Sequence, residues 1–215
     1  MFSKLEKSVL IVIAHPDDEC MFFSPTINSL IKLNRDIHLL CLSNGDSEGN
    51  GAKRINELKK SCQLLQIKSL DIIEDEDLLD DINKFWSFEK IKKLILEKID
   101  RFSCNAIITF DDYGVSGHRN HISIGLAVKQ LKESCPINIY ALKSFCIFRK
   151  YCILLHIILI FCESYSYGEI NFWNNLKTIK ESIQAMLQHK SQLTWYRLIY
   201  IFTSSYMIHN KLIRL

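Results

Sequence analysis

At 215 residues the chain fits one domain, or one domain with a short appendage, and it can bury a large core. With 48% hydrophobic and 24% charged residues it is neither disordered nor collagen-like. A net charge of only +3, without a long basic run, argues against nucleic-acid binding, which needs a concentrated basic stripe.

Met1 to Ser8 is short and charged, so no N-terminal secretory or membrane-spanning segment is expected there. Ser8 to Ala14 (SVLIVIA) reads as a fully buried strand, and Cys20 to Leu33 as a helix. Ile37 to Leu42 is the second strand, followed by a Gly-containing loop and a helix from about Ala52 to Leu65. Leu70 to Ile73 is a third strand, and Asp71 to Asp81 gathers seven acidic residues. Phe88 to Ile99 has helical spacing, and Asn105 to Phe110 has the composition of a central strand. A helix from His121 to Lys132 and a strand near Ile137 to Leu142 follow.

The last third is less regular. Tyr151 to Cys162 (YCILLHIILIFC) is strongly apolar but falls short of the ~20 residues a membrane-spanning helix needs. It reads as a buried strand or a membrane-surface segment. Phe172 to His189 reads as a helix. The tail, from Trp195 through Arg197 and Phe202 to Arg214, mixes aromatics with cations, as an interfacial segment or a packed helix would. No pair of the eight cysteines has Cys-x-x-Cys spacing, so they are expected to be reduced and mostly buried thiols.

Strands alternating with helices predict an α/β fold: a Rossmann-like, mostly parallel sheet flanked by helices, with the active site at the C-terminal ends of the strands. Residues 1–145 would form the catalytic core, and 146–215 a C-terminal extension of the same domain that faces a membrane.

The residues able to do chemistry sit where that fold puts a ligand. His15-Pro16-Asp17-Asp18-Glu19 directly follows the first strand, and His15 and Asp18 are close enough to converge on one metal from a tight turn. After Phe110 comes a loop containing Gly114, Gly117, His118 and His121, whose two histidines are three apart and turn the same way on a helix. Nitrogen and oxygen donors of this kind suit an open catalytic zinc site, and two His with one carboxylate also suit Fe(II). Gly114-Val-Ser-Gly-His lacks the last glycine of a nucleophile elbow, and no Gly-x-Gly-x-x-Gly follows the first strand. A serine hydrolase and a dinucleotide-binding module are therefore disfavoured. His38, His156 and His209 have apolar or tail surroundings and read as structural, while Asp46, Glu48, Asp75 and Asp77 read as solvated loop charges.

AHPDDE after the first strand, SNG followed by Arg54-x-x-Glu57, and GHRNH after the fourth strand together resemble the PIG-L/LmbE-like de-N-acetylases. The stretch Ala185 to Phe202 (AMLQHKSQLTWYRLIYIF) is similar to the eukaryotic branch of that family. The resemblance implies His15, Asp18 and His121 as metal ligands, Asp17 as general base and His118 as oxyanion stabiliser or proton-transfer aid. It places Arg54 at the polar part of the substrate, gives His189 a tentative substrate role, and assigns a substrate-loop aspartate somewhere in 74–81. It further implies Zn2+, or Fe2+ or another divalent ion, as cofactor, and N-acetylglucosaminylphosphatidylinositol as substrate. The reaction would be the second step of GPI-anchor synthesis, at the cytoplasmic face of the endoplasmic reticulum membrane. The alternatives are a de-N-acetylase of a soluble acetylated sugar, or a catalytically silent scaffold of the same fold. Asn120 stands where many soluble relatives carry Asp.

Overall fold

The computed structural model describes residues 6–46, 49–133, 135–163 and 168–215. Its centre is β1 (Ser8–Ile13), an unbroken run of Leu and β-branched residues whose Val9 to Ile13 have no solvent exposure. A strand this apolar must be covered on both faces and paired on both edges. It is: β2 (Asp36–Cys41) lies parallel on one side with Leu39 opposite Ile11, and β4 (Ala106–Phe110) lies parallel on the other with Ile108 opposite Ile11.

With β3 (Ser69–Ile72), β5 (Asn138–Leu142), β6 (Glu169–Trp173) and β7 (His209–Arg214), the described residues form a seven-stranded sheet in the order β3-β2-β1-β4-β5-β7-β6. β1 to β5 run parallel, whereas β7 is antiparallel to both β5 and β6. The order reverses between β1 and β4, and the crevice at such a switch point is where open α/β sheets bind ligands.

The helices are α1 (Asp18–Met21), α2 (Ser24–Lys32), α3 (Gly51–Leu64), α4 (Phe88–Phe102), α5 (Gly114–Gly117), α6 (Arg119–Leu131), α7 (Ile147–Tyr151), α8 (Ile153–Cys162), α9 (Leu176–Met186) and α10 (Trp195–Thr203). Local chemistry marks their ends. The Ser87 hydroxyl accepts from the Lys90 N–H to start α4, whose Ile91 and Ile95, four apart, are buried in the core. Asn175 and Thr178 cap α9 reciprocally, Oδ1 accepting from the Thr178 N–H at 3.0 Å and Oγ1 accepting from the Asn175 N–H at 2.9 Å.

Three expectations change. The apolar run 151–162 is not a strand: it ends α7 and forms α8, with only His156 and Ile160 of α8 buried. A short apolar run carries no periodicity that separates strand from helix, and the parallel core already has its strands. Phe172 and Trp173 belong to β6 rather than to the helix that follows. The tail divides into α10 and β7, since His209 to Arg214 finds an open sheet edge at β5. Among the cysteines, Cys20, Cys41, Cys62 and Cys104 are buried, but Cys146, Cys152 and Cys162 are exposed. No helix of the described residues is long and apolar enough to cross a membrane. The expectation for Glu48, and most of that for Met1 to Ser8, falls outside the described residues.

Candidate active site

The loops after β1, β2 and β4 close around a cavity of about 610 Å3 whose wall includes His15, Asp17, Asp18, Arg54, His118 and His121. The α1 turn brings Asp18 back under β1, so its Oδ2 accepts from the backbone N–H groups of Ala14 (3.0 Å) and His15 (2.8 Å). Oδ1 is left facing His121 Nε2 at 3.3 Å. His15 Nε2 faces only oxygens, Asn120 Oδ1 at 2.9 Å and Asp80 Oδ1 at 3.2 Å, so it carries the ring proton and leaves the Nδ1 lone pair free. His121 Nδ1 donates to the Gly114 carbonyl at 3.1 Å, which leaves its Nε2 lone pair free. The Phe110 ring stacks on His121, 4.1 Å between centroids, and fixes its plane.

Three lone pairs therefore point at one another: His15 Nδ1, Asp18 Oδ1 and His121 Nε2. The two nitrogens are 3.4 Å apart. Such an arrangement is repulsive unless positive charge lies between them. Donors bound tetrahedrally to one zinc at about 2.0–2.2 Å stand about 3.3–3.6 Å apart. The three residues thus fit a divalent ion in donor type, in spacing and in the outward hydrogen bonds that orient the ligands. The electrostatics agree. Burial pushes the His15 imidazole down to about 4, although Asp18 and Asp80 pull the other way, so the ring is neutral and able to ligate near pH 7. Burial would raise Asp18, but His121 and His15 outweigh it and hold the carboxyl well below the usual carboxylate range.

Asp17 stands beside this centre with φ at 119°, a left-handed conformation that is strained in a residue with a Cβ. Its N–H is held by Glu19 Oε2 at 3.0 Å, and its carboxylate is in contact with the Arg197 guanidinium from α10. His118 begins α6, where its Nδ1 accepts from the Asn120 N–H at 3.2 Å. Its proton is accordingly on Nε2, which faces Asp80 Oδ1 at 3.7 Å.

Arg54 lies at the cavity wall yet is largely committed to protein: it donates to the Gly45 and Pro16 carbonyls and to Asp80 Oδ2 at 2.9 Å. Glu57, one turn on, accepts from the Ser191 N–H at 2.9 Å and so ties α3 to the HKSQ segment. His189 does not line the cavity. It is 1% exposed and its Nε2 meets Glu19 Oε1 at 2.8 Å, behind the Asp17 turn.

Of the acidic residues within 74–81, Asp80 is the one that reaches the cavity wall. It touches His15, His118 and Arg54, and although burial alone would raise it, these cations and donors hold its carboxyl well below the usual range. Its neighbours on the chain, Asp75 and Asp77, pair instead with Lys90 at the surface. The sequence does hold a signal for this: Leu78 and Trp86, 1% and 2% exposed, anchor the acidic loop onto the core near Asp80. Arg197 and Lys150 are also on the cavity wall, a place that no local motif marks because each sits in a segment dominated by apolar residues.

The fold is similar to that of N,N'-diacetylchitobiose deacetylase from Pyrococcus horikoshii, with a TM-score of 0.66 over 99% of this chain and 85% of that one at 16% identity. The sequence is 37% identical, over 97% of the chain and 87% of the relative, to a probable N-acetylglucosaminyl-phosphatidylinositol de-N-acetylase of Schizosaccharomyces pombe. It is 35% identical, over 94% of the chain and 81% of the relative, to the N-acetylglucosaminyl-phosphatidylinositol de-N-acetylase of Bos taurus. Residues 10–132 match the family model described as PIG-L, GlcNAc-PI de-N-acetylase, and the chain belongs to that family.

Proposed function

We propose that this chain hydrolyses the N-acetyl group of N-acetylglucosaminyl-phosphatidylinositol, yielding the glucosaminyl lipid and acetate in the second step of GPI-anchor synthesis. The observation that carries the proposal is the set of three convergent lone pairs on His15, Asp18 and His121, with a carboxylate outside that set, Asp17, next in sequence to Asp18 and held by Arg197. The relatives' names supply the substrate. Zinc is the ion we assign to the three ligands, because two neutral imidazoles and one carboxylate with room for water suit it.

A divalent ion held there supplies Lewis acidity, which makes water acidic enough to attack an amide and polarises the acetyl carbonyl. The chain does the rest. Asp17 accepts the proton of the attacking water and returns it to the departing sugar nitrogen. For that its contact with Arg197 has to open, so entry of substrate past α10 and release of Asp17 are one event. His118 acts as a donor through Nε2, its Nδ1 being engaged by the Asn120 N–H. Its Nε2–H, which faces Asp80 Oδ1 at 3.7 Å, would turn to the oxyanion as it forms. Arg54 positions Asp80 and the Pro16 carbonyl, and His189, through Glu19, holds the strained Asp17 turn.

The mouth of the cavity is rimmed by Tyr151, Trp195, Tyr196 and Ile199, and the apolar face continues over Phe148, Leu154, Phe161 and Phe202. We assign this face, carried by α7, α8 and α10 of the 146–215 extension, to the cytoplasmic surface of the endoplasmic reticulum membrane, from which a lipid-linked sugar reaches the cavity with its chains still in the bilayer. The test is acetate release from the lipid by purified protein. Wild type is active and a chelator abolishes activity. Asp17→Asn lowers kcat by about 10²–10⁴ while retaining its metal. Turnover of soluble N-acetyl sugars but not of the lipid would replace the substrate. Metal-free, inactive protein would replace the enzyme reading with a scaffold.

A further inference from the structure

Three cations border the cavity, and each is placed differently. Arg54 is committed to Asp80 and to the Gly45 and Pro16 carbonyls. Lys150 on α7 makes no ion pair among the described residues; its Nζ donates to the Val115 carbonyl at 3.3 Å and lies 5.4 Å from the Tyr151 ring centroid. An anion drawn to Lys150 would leave Asp17 as it stands. Arg197 is the cation that covers Asp17, and Asp17 is its one carboxylate partner among the described residues. The Asp17 side chain is 4% exposed and that of Arg197 20%, so the carboxylate is sealed while the guanidinium keeps an open edge. Burial lowers the Arg197 pKa to about 10, with Tyr200 opposing, and the side chain stays a cation near pH 7.

Arg197 also stands between two surfaces. On its own helix, Trp195, Tyr196, Ile199 and Phe202 are between 52% and 74% exposed and belong to the apolar face assigned above to the membrane. The guanidinium points the other way, onto Asp17 beside the candidate metal ligands. A substrate whose acyl chains stay in the bilayer, and whose acetamide reaches His15, Asp18 and His121, has to pass Arg197. Between those two ends of N-acetylglucosaminyl-phosphatidylinositol lies its one charged group, the phosphodiester that joins the inositol to the diacylglycerol. A phosphodiester offers a guanidinium a pair of acceptor oxygens, as a carboxylate does. Lifting Arg197 off a buried carboxylate with nothing in return is strongly unfavourable, whereas exchanging one oxyanion for another keeps the guanidinium paired.

We propose that Arg197 reads the phosphodiester of the substrate and that this exchange is a switch: the phosphodiester draws the Arg197 guanidinium from Asp17, and only then is Asp17 free to act as base. The inference rests on the de-N-acetylase reading above. No covalent bond changes in the exchange, only the partner of one guanidinium. The anionic headgroup thereby promotes deacetylation of the sugar it carries, and a neutral N-acetyl sugar, which leaves Asp17 covered, is a poor substrate.

The experiment compares wild type, Arg197→Gln and Arg197→Lys on three substrates: N-acetylglucosaminyl-phosphatidylinositol, the same molecule stripped of its acyl chains, and N-acetylglucosaminyl-inositol without phosphate. Wild type should favour the chain-free phosphate substrate over the phosphate-free one by about tenfold in kcat/KM. Arg197→Gln should lower kcat/KM on both phosphate substrates about tenfold and raise it on the phosphate-free one, an opposition of sign that loss of a structural contact does not produce. Arg197→Lys keeps the charge without the planar fork and should fall between. Calorimetric binding of glycerophosphoinositol to chelated protein should weaken about tenfold in Arg197→Gln, which reads the contact without turnover. Equal kcat/KM of wild type on the two chain-free substrates, equal losses on all three in Arg197→Gln, or unchanged binding would each overturn the switch and leave the de-N-acetylase reading in place. Wild type that turns over none of the three yet binds glycerophosphoinositol through Arg197 would overturn that reading and keep the phosphodiester contact.

Discussion

The proposed metal ligands are aimed by bonds made on their far sides, and for the two imidazoles those bonds come from residues outside the set of three. Gly114 is the clearest. Its φ is +66°, and a Cβ there would lie 2.6 Å from the His121 Cβ. The Gly114 carbonyl also takes the His121 Nδ1 proton. Gly114→Ala is expected to swing His121 out of the cluster and weaken metal binding about 10–100-fold, measured by titration of the metal-free protein. Unchanged affinity would mean that the loop relaxes without moving the ligand. Asn120 works in the same way for His15, since its Oδ1 fixes the ring proton on Nε2 while its Nδ2 donates to the Lys84 carbonyl at 2.8 Å.

At the scale of elements, the apolar segments that read either as core or as membrane surface leave large side chains exposed. α8 buries His156 and Ile160 and leaves Leu154 and Phe161 at 70% and 82% exposure, and α10 leaves Phe202 at 74%. Exposure of this extent means that acidic side chains at those positions cost the fold little. Leu154→Glu/Phe161→Glu/Phe202→Glu should melt within a few degrees of wild type yet lose flotation with vesicles of neutral and anionic phospholipid. Retained flotation would place the membrane contact elsewhere. α10 has a second task in the same nine residues: its inward Arg197 covers Asp17, while Tyr200 donates to the Met21 carbonyl at 2.7 Å and anchors the helix against α1.

The whole molecule holds a second histidine pair outside the cavity wall. Arg149 Nε donates to His156 Nδ1 at 3.1 Å, His156 Nε2 to His209 Nδ1 at 2.9 Å, and His209 Nε2 to Asn171 Oδ1 at 2.9 Å. This relay joins α7, α8, β7 and β6, and it requires both rings to be neutral. Burial, with Arg149 nearby, lowers His156 to about 4, and burial, His156, Arg149 and Lys211 lower His209 to about 3; Glu163 opposes both. The unfolded chain binds more protons below about 6.5, so stability is full above that value and is lost as pH falls towards 4. At pH 5 the loss is about 2 kcal/mol for each ring, seen as a lower urea midpoint at pH 5 than at pH 7 in chelated protein. His209→Asn should flatten that dependence. A midpoint independent of pH would show that the rings titrate normally.

How much of this was legible follows from how local each feature is. β1, β2 and β4 are continuous apolar runs, and the polar clusters directly after β1 and β4 are contiguous, so His15, Asp17, Asp18, His118 and His121 could be named from the chain alone. A strand's own composition forces it into the middle of a sheet, and an open α/β sheet then brings the loops at its C-terminal ends together. The choice of Asp80 from a run of seven acidic residues was not local: it needed the anchoring of Leu78 and Trp86 and the approach of Arg54 from α3. Nor was the helical state of 153–162, the meeting of Arg197 with Asp17, or the isolation of Lys150 from every carboxylate near it. Those depend on which surfaces face each other after the chain has closed, and no window of sequence contains both partners.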